Sequence, residues 1–165
     1  SSWVSFATSW CCTAAVKRDG TLWAWGLNGS GSLGDGTTDG RTSPVRIGAD
    51  ADWDRVAAAN GSTIGLKRDG SLWAWGEGFF GQLGLGDRTF ALAPTRVGTE
   101  VDWAAIAPGG ITTLALKKDG SLWAWGDNRH GQLGDGSFVD RRTPIRVGTD
   151  SSWVTISASD ISSRA

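Results

Sequence analysis

Tyrosine and methionine are absent from this chain, histidine occurs once and proline four times. A lone histidine, His130, cannot build a histidine cluster for zinc, and it leaves no His-based relay with a second imidazole. No apolar run approaches the ~18 residues of a membrane-spanning helix, and no heptad pattern marks a coiled coil. Sixteen Lys and Arg stand against seventeen Asp and Glu, so the basic surplus of a nucleic-acid binder is missing. No Gly-x-Ser-x-Gly elbow announces a nucleophile. None of the glycine-rich stretches ends in Gly-Lys-Ser/Thr or opens a helix, as a phosphate loop would. The stretch Asp135 to Asp140 and its counterpart beginning at Asp35 lack the terminal glutamate of a calcium loop and read as solvated turns. These absences argue against an enzyme, a cofactor or a metal, and against nucleic-acid or membrane partners. The two cysteines, Cys11 and Cys12, are neighbours, and bridging neighbours demands strained geometry. They read as free thiols, which tilts towards a reducing compartment. No leader peptide is visible, but the chain does not begin with Met and reads as a processed or excised piece, so localisation stays open.

What the chain has in abundance is glycine, at 25 residues, and tryptophan, at 11. Both recur in strict register. Trp3, Trp53, Trp103 and Trp153 each stand 50 residues apart (53 − 3, 103 − 53, 153 − 103). The run Lys17 to Gly26 returns at Lys67 to Gly76 and at Lys117 to Gly126. Gly31-Ser32-Leu33-Gly34 returns as Gly81-Gln82-Leu83-Gly84 and Gly131-Gln132-Leu133-Gly134, and Pro44, Pro94 and Pro144 keep the same step. Such self-similarity is the signature of a repeat architecture. It divides the chain into repeats of about 3–52, 53–102 and 103–152, with an incomplete fourth at 153–165, together forming one domain over residues 1–165.

Four strands fit within one repeat: Trp53 to Ala58, Thr63 to Lys67, Ser71 to Gly76, and a short fourth from Thr95 to Val97. The second and third are joined by Arg68-Asp69-Gly70, where Asp-Gly supplies the positive φ of a tight hairpin. In Leu72-Trp73-Ala74-Trp75 the side chains alternate between faces, and both faces are apolar. A sheet covered on both sides by neighbouring sheets explains that pattern, so Trp23, Trp25, Trp73, Trp75, Trp123 and Trp125 read as core rather than ligand contacts.

A tryptophan opening a short apolar segment, then Thr113 to Gly136 (TLALKKDGSLWAWGDNRHGQLGDG), a proline, and Ile145 to Gly148 (IRVG), resembles the repeat of the regulator of chromosome condensation family. The resemblance extends over all three copies. It implies an all-β fold, a β-propeller of four-stranded blades, of which this chain holds three 50-residue blades and the start of a fourth. A histidine that the family commonly places ahead of the second strand is replaced here by Cys12, Ser62 and Thr112, so its role is not carried over. Propellers close with about four to eight blades. The expectation is therefore a homo-oligomer completing the ring, or a longer parent supplying the missing blades. By analogy the family suggests guanine-nucleotide exchange or chromatin association; it also includes secreted bacterial propellers that inhibit an enzyme. Arginine outnumbers lysine and alanine is plentiful, which points to a GC-rich bacterial source.

The copies diverge most tellingly in three loop stretches. Trp10-Cys11-Cys12 becomes Asn60-Gly61-Ser62 and Gly110-Ile111-Thr112. Leu27 to Ser30 becomes Glu77 to Phe80 and Asp127 to His130, and Thr38 to Ser43 becomes Arg88 to Ala93 and Phe138 to Thr143. All three follow strands one or three. In an antiparallel blade they share one rim, while the near-constant turns share the other. Loops drift more readily than tight turns, yet the variable rim also gathers aromatic and arginine residues, the types in which binding energy concentrates. The candidate binding residues are Trp10, Glu77, Phe79, Phe80, Phe90, Asp127, Arg129, His130, Phe138, Arg141 and Arg142, in a non-catalytic module that binds a protein or peptide. A self-assembling structural unit with no separate ligand is the alternative from another class.

Overall fold

Residues 2–159 are described in a computed structural model. They form three four-stranded antiparallel sheets, each built from consecutive strands. The first sheet comprises β1 (Trp3–Thr8), β2 (Cys12–Lys17), β3 (Leu22–Gly26) and β4 (Arg41–Ile47). The second comprises β5 (Trp53–Ala59), β6 (Ser62–Lys67), β7 (Leu72–Glu77) and β8 (Phe90–Val97). The third comprises β9 (Trp103–Gly109), β10 (Thr112–Lys117), β11 (Leu122–Gly126) and β12 (Arg141–Arg146). The expected start of a fourth blade forms no strand between residues 151 and 159, and its last six positions lie outside the described residues. Trp153 N nevertheless bonds Gly120 O at 3.3 Å, repeating the Trp53–Gly20 and Trp103–Gly70 contacts at 3.1 and 3.2 Å.

The fourth strand is a correction. It was expected to be short and to follow the proline, but β8 begins at Phe90, four residues before Pro94. Ladder partners jump from Ala74↔Thr95 to Gly76↔Ala91, and from Ala24↔Val45 to Gly26↔Arg41 in the first sheet. The outer strand thus bulges, and the proline falls in the bulge, where no ladder N–H is required. The proline interrupts the strand without ending it.

The Asp-Gly-Ser/Thr-Leu-Trp run works as one device. Asp69 Oδ1 accepts the backbone N–H and the hydroxyl of Ser71 at 2.8 and 2.7 Å. That hydroxyl in turn accepts the Trp73 indole N–H at 2.9 Å. Asp19–Thr21–Trp23 and Asp119–Ser121–Trp123 repeat the chain. These hydroxyl and amide bonds hold all three carboxyls below the ordinary carboxylate range. Lys67 lies over the Trp53 and Trp73 rings, 5.0 and 4.6 Å from their centroids, and pairs with Asp50 and Asp52. Gly70 has φ +87°, and a Cβ there would stand 2.2 Å from Val101 O. The turn must be glycine both for its conformation and because the chain entering the next blade crosses it.

Successive sheets are fastened by the Gly-x-Leu-Gly loop. Ser32 O accepts the Trp75 indole at 3.0 Å and the Thr63 hydroxyl at 2.9 Å. Gln82 O does the same for Trp125 and Thr113 at 2.9 and 2.8 Å. Trp75 and Trp125 are fully buried. Each such ring is worth about 4–6 kcal/mol at most by area, a ceiling set by an extended unfolded reference. Trp25, with no preceding sheet among the described residues, is half-buried, as are Trp23, Trp73 and Trp123 at the foot of their sheets.

Candidate functional site

Strand direction alternates, so the β1–β2, β5–β6 and β9–β10 turns lie at the same end of their sheets as the long β3–β4, β7–β8 and β11–β12 loops. The ladders agree: Cys12 pairs with Gly26, and Gly26 with Arg41. The three loop stretches singled out from the sequence all stand on this upper rim.

The long loops of the first and third blades are organised around a buried asparagine. Asn128 Oδ1 accepts the Leu133 N–H at 3.0 Å, and its amide nitrogen donates to Asp135 Oδ1 at 3.0 Å and to Ser137 O at 3.0 Å. Asp135 also receives Ser137 and the Arg141 guanidinium, the latter at 2.8 and 2.6 Å. Asn28, Asp35, Thr37 and Arg41 build the same network. The Ser137 and Arg141 bonds push the Asp135 carboxyl strongly down. For Asp35, burial acts upward but is outweighed by Thr37 and Arg41, so its carboxyl is also lowered. The turns are solvated over Gly136 and Phe138 to Asp140, as expected, but the leading aspartate of each is not. These aspartates are enclosed, because they must satisfy an asparagine that has no access to water.

The second blade lacks this network altogether. Gly78, Leu85 and Ala91 replace Asn28, Asp35 and Arg41. The loop is held instead by strand pairing that continues to Glu77↔Phe90, by a Gly78 N to Thr89 O bond of 2.8 Å, and by Leu85 packed on the core. Above it, Phe79 and Phe90 meet edge to face, with centroids 4.6 Å apart. Both remain substantially exposed, Phe79 at 50% and Phe90 at 41%. From the third blade the Arg129 guanidinium reaches over the Phe80 ring, 5.4 Å from its centroid.

The structure thus pairs Phe79 with Phe90 within the second blade, and Phe80 with Arg129 where the second and third blades meet. Arg142 adjoins them, 3.7 Å from Asp87, and its carbonyl receives the Gly86 N–H. Four candidates are in strands rather than loops: Glu77 ends β7, Phe90 opens β8, and Arg141 and Arg142 open β12. Two are structural. Asp127 is 1% exposed and accepts from Arg129 and Gln132, so it aims the arginine and does not face solvent. Arg141 is committed to Asp135. Glu77 turns back towards Ser30 of the first blade, 3.4 Å away. Trp10 and Phe138 are each 74% exposed, and His130 is exposed. Trp10 borders a separate cavity of about 310 Å³ in the first blade, with Cys11, Leu27, Ser30 and Thr38. Sequence reasoning did not single out Leu92, which is 40% exposed beside the aromatic pair on β8. Its signal was available, since Thr42 and Arg142 hold that register in the other copies.

Among the described residues no group of three or more His, Cys, Asp or Glu is placed to hold a metal ion. Among the same residues no helix is long and apolar enough to cross a membrane.

Four-stranded sheets stacked side by side, each fastened to the next through a tryptophan, define the chain as a β-propeller repeat protein. Its sequence matches the family described as Regulator of chromosome condensation (RCC1) repeat over residues 19–66, 69–116 and 119–163, and the chain belongs to that family. The matched units begin at the β2–β3, β6–β7 and β10–β11 turns, so the first two straddle successive sheets. No curated protein matches the chain in sequence. Among solved structures it is similar to Prp20p of Saccharomyces cerevisiae, with a TM-score of 0.79 and 21% identity over 87% of this chain. Human WBSCR16 follows with a TM-score of 0.67 and 18% identity over 96% of the chain, and the computationally designed protein Ika4 with 0.53 and 12% over 95%. The chain spans 38% of the length of Prp20p and 56% of that of WBSCR16. At these identities the likeness is one of fold.

Proposed function

We propose that the chain is a non-catalytic recognition module that binds a protein or peptide on its upper rim. The observation that supports this reading is the half-exposed Phe79–Phe90 pair in the loop that has given up its polar network, with Phe80 of the same loop capped by Arg129 of the third blade. Paired aromatics with an adjacent arginine are the side chains from which interface anchors are made. The arginine is already oriented by Asp127, so little side-chain freedom is lost on docking. The test is a binding screen with the wild-type chain, followed by Phe79→Ala, Phe80→Ala and Arg129→Ala against each partner found. An anchor residue of this kind costs about 2 kcal/mol or more on truncation, roughly a 30-fold loss of affinity. Unchanged affinity for every partner in all three variants would remove the reading.

The open sides of the end sheets support a second part of the proposal, that a second copy completes the surface. Ser32 O and Gln82 O each fasten the sheet that follows them, and Gln132 O stands at the equivalent place on the third sheet with no such neighbour among the described residues. On the first sheet, Trp25 and Thr13 hold the register of Trp75 and Thr63. The two sides therefore fit one another by the rule already used twice inside the chain. Light scattering that returned the mass of one chain at all concentrations would exclude self-association, leaving further blades of a longer chain as the neighbour.

Prp20p has been described with its binding to Gsp1p and histones. A guanine-nucleotide release assay with a small GTPase tests whether an exchange role carries over. The near-balance of charge in this chain favours general protein recognition over a chromatin-directed role.

A further inference from the structure

The rim of the first blade carries chemistry that the binding reading does not use. Cys11 ends the β1–β2 turn and Cys12 opens β2. Their sulfurs are 3.4 Å apart, and Ser9 Oγ lies 3.3 Å from one and 3.4 Å from the other. Ser32 Oγ approaches Cys11 at 3.9 Å. Cys12 is 5% exposed and is fixed in the ladder opposite Gly26. Cys11 is half-buried and forms part of the wall of the cavity of about 310 Å³. The other blades place Gly61-Ser62 and Ile111-Thr112 here, so the repeat itself has no need of thiols.

We propose that Cys11 is a thiol-modification site, whose thiolate attacks small-molecule disulfides and whose neighbouring cavity receives the organic group acquired. The two sulfurs divide the roles by position. The thiolate is the nucleophile in such exchange, and it is favoured where donors converge on a sulfur that keeps some contact with water. The sulfur–sulfur contact with Cys12 is the main cause that lowers the Cys11 thiol to about 6; burial opposes it, and Ser9, Ser32 and a backbone interaction reinforce it. The same contact, together with burial, pushes the Cys12 thiol up. Near neutral pH, Cys11 is thus the more accessible, nucleophilic sulfur and Cys12 the buried one that keeps its proton.

In the step itself, the Cys11 thiolate attacks one sulfur of R–S–S–R. A Cys11–S–S–R bond forms as the small disulfide's own bond breaks, and the electron pair leaves on R–S⁻. Cys11 is oxidised and the departing half of the small molecule is reduced. The mixed disulfide is the end point. Adjacent Cα atoms are ~3.8 Å apart, short of the roughly 4.4–6.8 Å of ordinary disulfides, so closing Cys11 onto Cys12 would strain the backbone. It would also pull Cys12 off Gly26.

The experiment uses the full chain, labelled with iodoacetamide across pH and read by peptide mass spectrometry. Cys11 is expected to label with a midpoint near pH 6, and at pH 7 at least about tenfold faster than Cys12. Cys12→Ala raises that midpoint. Ser9→Ala raises it by less and keeps the test open if Cys12→Ala does not fold. Oxidised glutathione is expected to add once, on Cys11, reversibly with dithiothreitol, and not to Cys11→Ser. A Cys11 midpoint near ~8.5, that of a free thiol, faster labelling of Cys12, or an internal Cys11–Cys12 disulfide in place of the adduct would each overturn the proposal.

Discussion

In the first and third blades the long upper loop winds around a buried asparagine that is satisfied by an aspartate, a hydroxyl and an arginine. In the second blade the same stretch, of the same length, has Gly78, Leu85, Asp87 and Ala91 at the network positions and closes instead with strand pairing, a leucine and two phenylalanines. Removing one member of a buried polar network would leave the others unsatisfied at about 1–3 kcal/mol each, whereas removing all of them together is nearly neutral. The second blade has made that complete exchange at Gly78, Leu85 and Ala91. Its loop no longer needs polar residues on the inside, and its aromatic residues stand on the outside. The exchange turns a sealed loop into a sticky one.

The comparison predicts opposite demands at equivalent positions. Asn128→Ala strips a fully buried hub of its bonds and strands the Leu133 N–H, while Asp135 keeps Ser137 and Arg141. It is expected to cost about 2–3 kcal/mol in urea unfolding. A loss under about 0.5 kcal/mol, the range of neutral surface changes, would show that the network does not hold the loop. Conversely, Gly78→Asn is expected to destabilise by about 2 kcal/mol, because a Cβ there would stand 2.8 Å from Leu83 Cδ1 and 3.0 Å from Arg88 O. Adding Leu85→Asp and Ala91→Arg to that variant should restore part of the loss by rebuilding the network. Purely additive effects in a double-mutant cycle would mean that the two loop types are not alternatives.

Smaller effects sharpen the contrast. Phe79→Ala removes the edge-to-face contact with Phe90 and should cost about 1 kcal/mol. Phe138→Ala, at a residue 74% exposed, should stay within about 0.5 kcal/mol in the same melts. Acid supplies the last probe. Asp35 and Asp135 have lowered carboxyls, so the stability they contribute is complete above their ordinary value of 3.8 and is lost as pH falls below it towards their folded-state values. Melting temperatures recorded between pH 7 and pH 3 should fall less steeply for the Asp35→Asn, Asp135→Asn double variant. Identical slopes for variant and wild type would remove these carboxylates as the acid-sensitive element.

Much of this was legible in the residues. The 50-residue step placed Trp53 and Trp103, the Asp-Gly pairs placed the hairpins, and alternation of strand direction put Trp10, Phe79 and Phe138 at one end of their sheets. The start of the fourth strand was hidden, because Pro94 looks like a boundary and only the ladder shows that it occupies a bulge. The polar network was hidden for a related reason. Asp135-Gly136-Ser137 has the composition of an open turn, and nothing local reveals that Asn128 lies beneath it. Asp127 was misjudged in the same way, since burial of a loop carboxylate depends on Gln132 and Arg129 closing over it. Pairwise meetings across blades, such as Arg129 with Phe80, lie 49 residues apart (129 − 80) and leave no trace in any single repeat.

The carbonyl that receives each indole always comes from the sheet before it, never from the one after. For the buried indoles, dependence between blades therefore runs one way along the chain, although the Gly36 and Gly86 N–H groups bond forward to Leu92 O and Arg142 O. Losing the first blade would strand a donor deep in the second, while losing the last would free an acceptor and the Gly86 N–H nearer the surface. Amide hydrogen exchange should accordingly grade from the N-terminal side, with β2 and β3 surrendering their protons before β6 and β7. The stack has a grain, as wood does, and splits more readily along it from one end.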